Sequence, residues 1–190
     1  MPTIILLLIA GIVIDIFIVW MQKREEKGAP LAPEWKLDEG VADADECRAA
    51  ELAARYGTEE RMALPDSCVI HKSVRGFAER YSRLEFDECT MDYDRRELLR
   101  GEETEECWKG FYCIGGDGGE ISFYVRKSAD DERIYAFDME GSSRPEPYAS
   151  NIRRFIVMRH NAWLKMQKMI AEDEAEKQAK KNRRRRRRRG

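Results

Sequence analysis

The first twenty positions after the initiator, Pro2 to Met21, are apolar apart from Thr3 and Asp15. A helix of that length reaches about 30 Å, the thickness of a bilayer core. Nothing basic precedes the run, and it ends Val19-Trp20-Met21-Gln22 without the small residues of a cleavage site, so an uncleaved anchor fits better than a signal peptide. Lys23, Arg24 and Lys27 follow the span directly, which places the body in the cytoplasm, or the equivalent organellar compartment, and the N-terminus outside. Trp20 falls where an interfacial aromatic belongs. Asp15 has two readings: a contact with another helix or a partner's basic residue, or a neutral or water-reached carboxyl that one span tolerates.

Past the span the pattern breaks. Residues 23–41 carry Pro30 and Pro33 with little periodicity and read as a linker. Residues 42–56 are rich in Ala, Glu and Arg and predict a helix ended by Gly57, with Leu52 and Tyr56 one turn apart facing the core. Pro65 suits the first turn of a second helix, whose face continues through Val69, Ser73 and Phe77. Residues 84–93 alternate weakly and predict a short strand, and 97–106 are acidic and patternless, hence a loop.

Stronger signals follow. Trp108, Phe111, Tyr112, Cys113 and Ile114 predict a buried strand. The Gly115-Gly116-Asp117-Gly118-Gly119 segment predicts a turn that uses positive φ at consecutive glycines. Residues 121–126 and 133–139 predict two further strands and complete an antiparallel meander. Residues 142–148, with Pro145 and Pro147, read as a loop, and Ser150 as the N-cap of a closing helix. Ile152, Phe155, Ile156, Trp163, Met166 and Ile170 fall on one face of that helix, interrupted only by Arg159. The helix is expected to run to about Ala179 and to project beyond the body. The fold class is therefore α+β: an N-terminal transmembrane helix (1–22), a linker (23–41), a domain of meander and flanking helices with a long C-terminal helix (42–176), and a basic tail (177–190).

Charge changes this picture by its segregation. The formal charge is −2 overall, yet residues 1–27 net zero and 177–190 net +10, which leaves −12 on 28–176. With 43% hydrophobic residues the chain has enough apolar material for a core, which excludes wholesale disorder. Five cysteines, Cys47, Cys68, Cys89, Cys107 and Cys113, with no CxxC pair, fit neither a closed disulfide framework nor a zinc site, and reduced thiols are the simplest account.

The segment from Trp108 to Phe155 resembles the SUKH superfamily. The residues that carry the likeness are Phe111 to Gly119, the strands 121–125 and 134–138 with Asp138 at the end, and Pro147-Tyr148-Ala149-Ser150-Asn151-Ile152 leading to Phe155 and Ile156. Leu64-Pro65-Asp66 matches the family's helix entry. The resemblance covers about a quarter of the chain. It implies an α+β fold and a binding role: bacterial members act as immunity proteins against toxin domains, and others as regulatory scaffolds. No shared catalytic residues come with it. The membrane span and the arginine tail depart from the usual soluble pattern.

Catalytic motifs are missing: no G-x-S-x-G, H-E-x-x-H or Walker sequence occurs. His71 and His160 fall on different helices and read as surface or boundary residues. The glycine turn lacks the GK[ST] ending of a phosphate loop, and Glu120 follows it with a repelling charge. The expectation is a non-enzymatic, membrane-anchored protein-binding module without cofactor or metal. Its partner contacts are placed at Gly115, Gly116, Asp117, Gly118, Gly119 and Glu120, with Asp130 and Asp131. The alternative is an accessory structural subunit of a membrane complex.

The tail is the other candidate contact. Lys180, Lys181, Arg183, Arg184, Arg185, Arg186, Arg187, Arg188 and Arg189 put nine positive charges in ten residues, which repel and are expected to stay extended. Anionic lipid, RNA or DNA through non-specific phosphate contacts, and the acidic body itself or an acidic partner are its available targets, and a solvated tail without a target is the plain alternative. No aromatic interleaves the arginines, so base stacking is not indicated.

Overall fold

The computed structural model describes residues 36–87, 90–100, 109–139 and 144–187. Among the described residues no helix is long and apolar enough to cross a membrane. The span expected at 2–21, with Asp15, lies outside them, as do Cys89, Cys107 and Arg188–Arg189.

A 3-10 turn at Asp43–Cys47 leads into α1 (Arg48–Tyr56), which runs straight into β1 (Gly57–Glu59). After an irregular segment come α2 (Lys72–Arg80), β2 (Tyr81–Leu84), β3 (Tyr93–Asp94) and α3 (Arg95–Arg100). Then follow β4 (Phe111–Gly116), β5 (Ile121–Arg126), β6 (Ile134–Asp138), β7 (Glu146–Ala149) and the 36-residue α4 (Ile152–Arg187). Two antiparallel sheets result, β1-β2-β3 and β4-β5-β6-β7. A single bridge between Met91 and Gly116, with the Gly116 N–H donating to Met91 O at 2.8 Å, joins them edge to edge.

The meander of β4, β5 and β6 forms as the alternation predicts. Ile114, Phe123, Val125, Ile134 and Ala136 are buried against α4. Phe155 stacks edge-on against Phe123, with ring centroids 5.0 Å apart, and Tyr148 closes the cluster 5.4 Å from Phe123. The residues around Pro147, expected as loop, form β7 instead. Pro147 is tolerated there because β7 is an edge strand.

Four other local expectations change. Pro65 does not start a helix: α2 begins at Lys72, and the Arg75 guanidinium donates to the carbonyls of Leu64 (3.3 Å), Pro65 (3.2 Å) and Cys68, holding 64–68 as a loop. Val69, read as part of that helix's face, is accordingly outside α2 and 48% exposed. Of the strand expected over 84–93 only the end residues, Leu84 in β2 and Tyr93 in β3, are strand. The acidic loop begins as helix α3, because Asp94 Oδ1 accepts from the Arg96 N–H (2.8 Å) and Leu98 is buried beneath it. Asn151, not Ser150, caps α4: its Oδ1 accepts from the Arg154 N–H at 3.0 Å.

The tail is also different. The helix was expected to end near Ala179 and the run from Lys180 to stay extended, but α4 remains helical as far as Arg187. Asp173 pairs with Lys177 (2.5 Å) and Glu176 with Lys180 (2.6 Å), each acid one turn before its base, and the intervening Ala, Gln and Lys are good helix formers.

The segment before α1 lies along α4. Asp38 takes a left-handed φ of 59°, a conformation that Asp tolerates. Its N–H donates to Tyr148 O (3.2 Å), and its carboxylate accepts from the Ser150 N–H (2.7 Å) and from Arg154 (2.9 Å). Arg154 also donates to Glu46 at 2.7 Å, and that bond holds the Glu46 carboxyl below its usual range.

Candidate partner-binding site

The glycine turn is built by two devices. At Gly115, φ is +154° and a Cβ would collide with the carbonyl oxygens of Met91 and Asp92, so the site admits only a hydrogen where β4 meets the 91–92 backbone. At the turn itself, Asp117 Oδ1 accepts from the N–H groups of Gly119 (2.9 Å) and Ile121 (3.2 Å), and Gly118 takes φ +80°. Positive φ is therefore needed at Gly115 and Gly118, not along the whole run, and one Asp117 oxygen is committed to the turn.

This turn borders an open groove of about 750 Å³. Arg83 and Glu85 line it from the β2 end, Met91 from the bridge, Glu97 from α3, and Cys113, Gly115, Gly116 and Ser122 from β4 and β5. Met91 is 41% exposed. Arg83 is held by Glu85 (3.2 Å) and Asp94 (3.4 Å), so it presents a fixed positive corner among carboxylates. The Cys113 thiol is pushed up from its ordinary pKa by burial. Such a lining, in which Arg83, Glu85 and Glu97 stand among Met91, Ile121 and glycines, suits a contact surface with a few fixed polar points.

The remaining predicted contacts do not join this groove. Asp130 and Asp131 lie in the β5–β6 turn, at the opposite end of β5 from the glycines. Asp130 is exposed. Asp131 is consumed internally: Arg133 donates to it at 2.8 and 2.9 Å and the Tyr135 hydroxyl at 2.7 Å, and these bonds, the Arg133 one first, hold its carboxyl far below the usual range. Glu120 sits beside the groove's glycines, and its carbonyl accepts from the Met139 N–H at 3.2 Å. Lys180 and Lys181 are exposed on α4, Lys180 paired with Glu176, and Arg183 to Arg187 continue on helical backbone.

The sequence did not anticipate that Asp92 is buried and paired with Arg159. Asp92, 1% exposed, bonds Arg159 Nε at 2.6 Å and accepts from the Thr90 hydroxyl (3.0 Å) and the Phe86 N–H (3.3 Å). Arg159 also lies over the Phe123 ring, 4.8 Å from its centroid. The interruption of the α4 apolar stripe at Arg159 was the available signal. The pair sits beside Asp117 and Trp163 in a cleft of about 160 Å³ behind the turn.

His160 is not a boundary residue. It is buried among the rings of Tyr56, Phe86 and Trp163, its Nδ1 has no partner among the described residues, and burial, then Arg48 and Arg55, lowers its pKa. His71 instead caps α2, its Nδ1 2.8 Å from the Ser73 hydroxyl. Tyr93 is fully buried, its hydroxyl has no partner among the described residues, and burial pushes its pKa up.

No family model, curated protein or solved structure matches this chain.

Proposed function

We propose that this chain is a membrane-tethered, non-enzymatic protein-binding module. The apolar stretch 2–21 anchors it with the body on the cytoplasmic side, and the groove beside Gly115–Gly119 receives the partner. The observation that carries the reading is that groove. Two sheets and α3 contribute to its walls, it is open, and it carries the charged Arg83, Glu85 and Glu97 beside the apolar Met91 and Ile121. The net −12 of residues 28–176 favours a partner of basic surface, whose association would be fast and salt-sensitive. The resemblance to the SUKH superfamily, in which a glycine-turn hairpin, a following strand and a closing helix occur in the order found here, supports the same class of role.

The test is affinity purification of the full chain from native membrane, with identification of what copurifies. The Met91→Lys variant places a positive charge in the groove and should lose a basic partner while the fold is kept. An unchanged set of copurifying proteins for that variant would remove the groove from the reading. Comigration of the chain with one large complex in mild detergent would instead assign it as an accessory subunit.

A further inference from the structure

We propose that the free part of α4 is a nucleic-acid-binding arm: a helical lever that holds the arginine run clear of the acidic body and presents it to the phosphates of a duplex. This stands independently of the groove. Every residue from Leu164 to Asn182 is exposed, whereas Ile152, Phe155 to Met158 and His160 are buried in the body. Nineteen residues at 1.5 Å rise make a lever of about 28 Å, more than three Debye lengths of about 8 Å at physiological salt.

The separation has a physical purpose. Residues 28–163 net −10, so a polyanion approaching the body directly is repelled, and a flexible basic tail would settle on the body instead. A rigid helix prevents both. Three of its four acids are matched within it: Glu172 with Lys168, Asp173 with Lys177, Glu176 with Lys180.

The same geometry favours a duplex over an anionic membrane. Residues 164–182 carry five lysines against four acids and net only +1, so the shaft itself offers an anionic surface little attraction. Contact is left to the tip. There the helical backbone carries the successive positions Arg183 to Arg187 round the full circumference. A plane meets one side of such a tip, but a groove has phosphates on both walls. Recognition is by charge alone, without base reading.

The full chain in neutral phosphatidylcholine nanodiscs is titrated with labelled short RNA and DNA duplexes of unrelated sequences over a salt series, and with phosphatidylserine vesicles in parallel. Binding is expected to be indifferent to sequence, with a log–log salt slope of about −6 for seven contacts. Arg183→Gln through Arg187→Gln together should weaken it about tenfold or more. Ala175→Pro leaves the charge unchanged but breaks the lever, and should weaken it several-fold while the melting midpoint of the body is kept. Binding of only one duplex type keeps the proposal and names its source. No binding at about 50 mM salt, full binding by Ala175→Pro, or tighter retention on the vesicles than on either duplex overturns it.

Discussion

Arg159 Nε lies 2.6 Å from Asp92 Oδ1, and this buried pair ties α4 to the segment that bridges the two sheets. Arg159 is the single charged position in the otherwise apolar face of α4, and its charge is matched from 67 residues away in sequence. Removal of one partner leaves the other charge buried alone. Asp92→Ala is expected to cost about 3–5 kcal/mol, whereas Asp92→Leu with Arg159→Met should recover most of that loss. Urea unfolding of the single and double variants measures both.

Gly115 and Gly76 give a contrast at glycine. Alanine at Gly115 meets two backbone carbonyls at a φ of +154°, and neither carbonyl can yield without opening the bridge. Gly115→Ala should destabilise by more than about 2 kcal/mol. Gly76 lies within α2 with open space where a Cβ would stand, so Gly76→Ala should stabilise by about 0.5–1 kcal/mol. Melting midpoints moving in opposite directions are the expected result.

His160 makes stability depend on pH with a definite sign. Its pKa is lowered in the fold, so the unfolded chain takes up a proton at a higher pH than the folded one. Stability contributed by this site is therefore intact above about pH 6.5 and falls as the pH drops below that value. His160→Phe keeps the aromatic box and removes the titration. Its melting midpoint should fall less than the parent's between about pH 7 and 5, and equal slopes would refute the assignment.

Arg154 fastens residues 38–46 to α4 through two carboxylates. Arg154→Leu should leave the sheets intact and free that strap. Amide exchange at Asp38, Val41 and Asp45, whose N–H groups are bonded in the fold, should accelerate by about tenfold or more, while the β5 amides stay protected.

The legible parts of this fold were those governed by short-range rules. Alternation and a glycine-rich turn located β4, β5 and β6, and 3.6-residue spacing located α4. The parts that were not legible depend on distant partners. The loop at 64–68 is irregular because Arg75 reaches back for its carbonyls, and Asp94 nucleates α3 within a stretch read as loop. In the candidate site, the hairpin was placed correctly, but Asp131 had no visible reason to be occupied until Arg133 and Tyr135 folded onto it. Arg159 looked like a flaw in a stripe because its counterion lies in another part of the chain. The helical course of the tail depended on an acidic block placed one turn ahead of the lysines, a pattern outweighed in the sequence by repulsion among the arginines.

The bond from the Asp38 N–H to Tyr148 O has a consequence for handling the molecule. It seals part of the outer rim of β7, a strand already blunted by Pro147. A version of the chain cut after Val41 would lose that guard together with the Asp38 half of the Arg154 clasp. It would leave a raw β margin open to strangers, so that clumping of shortened forms would speak of a missing cover and not of a sticky core.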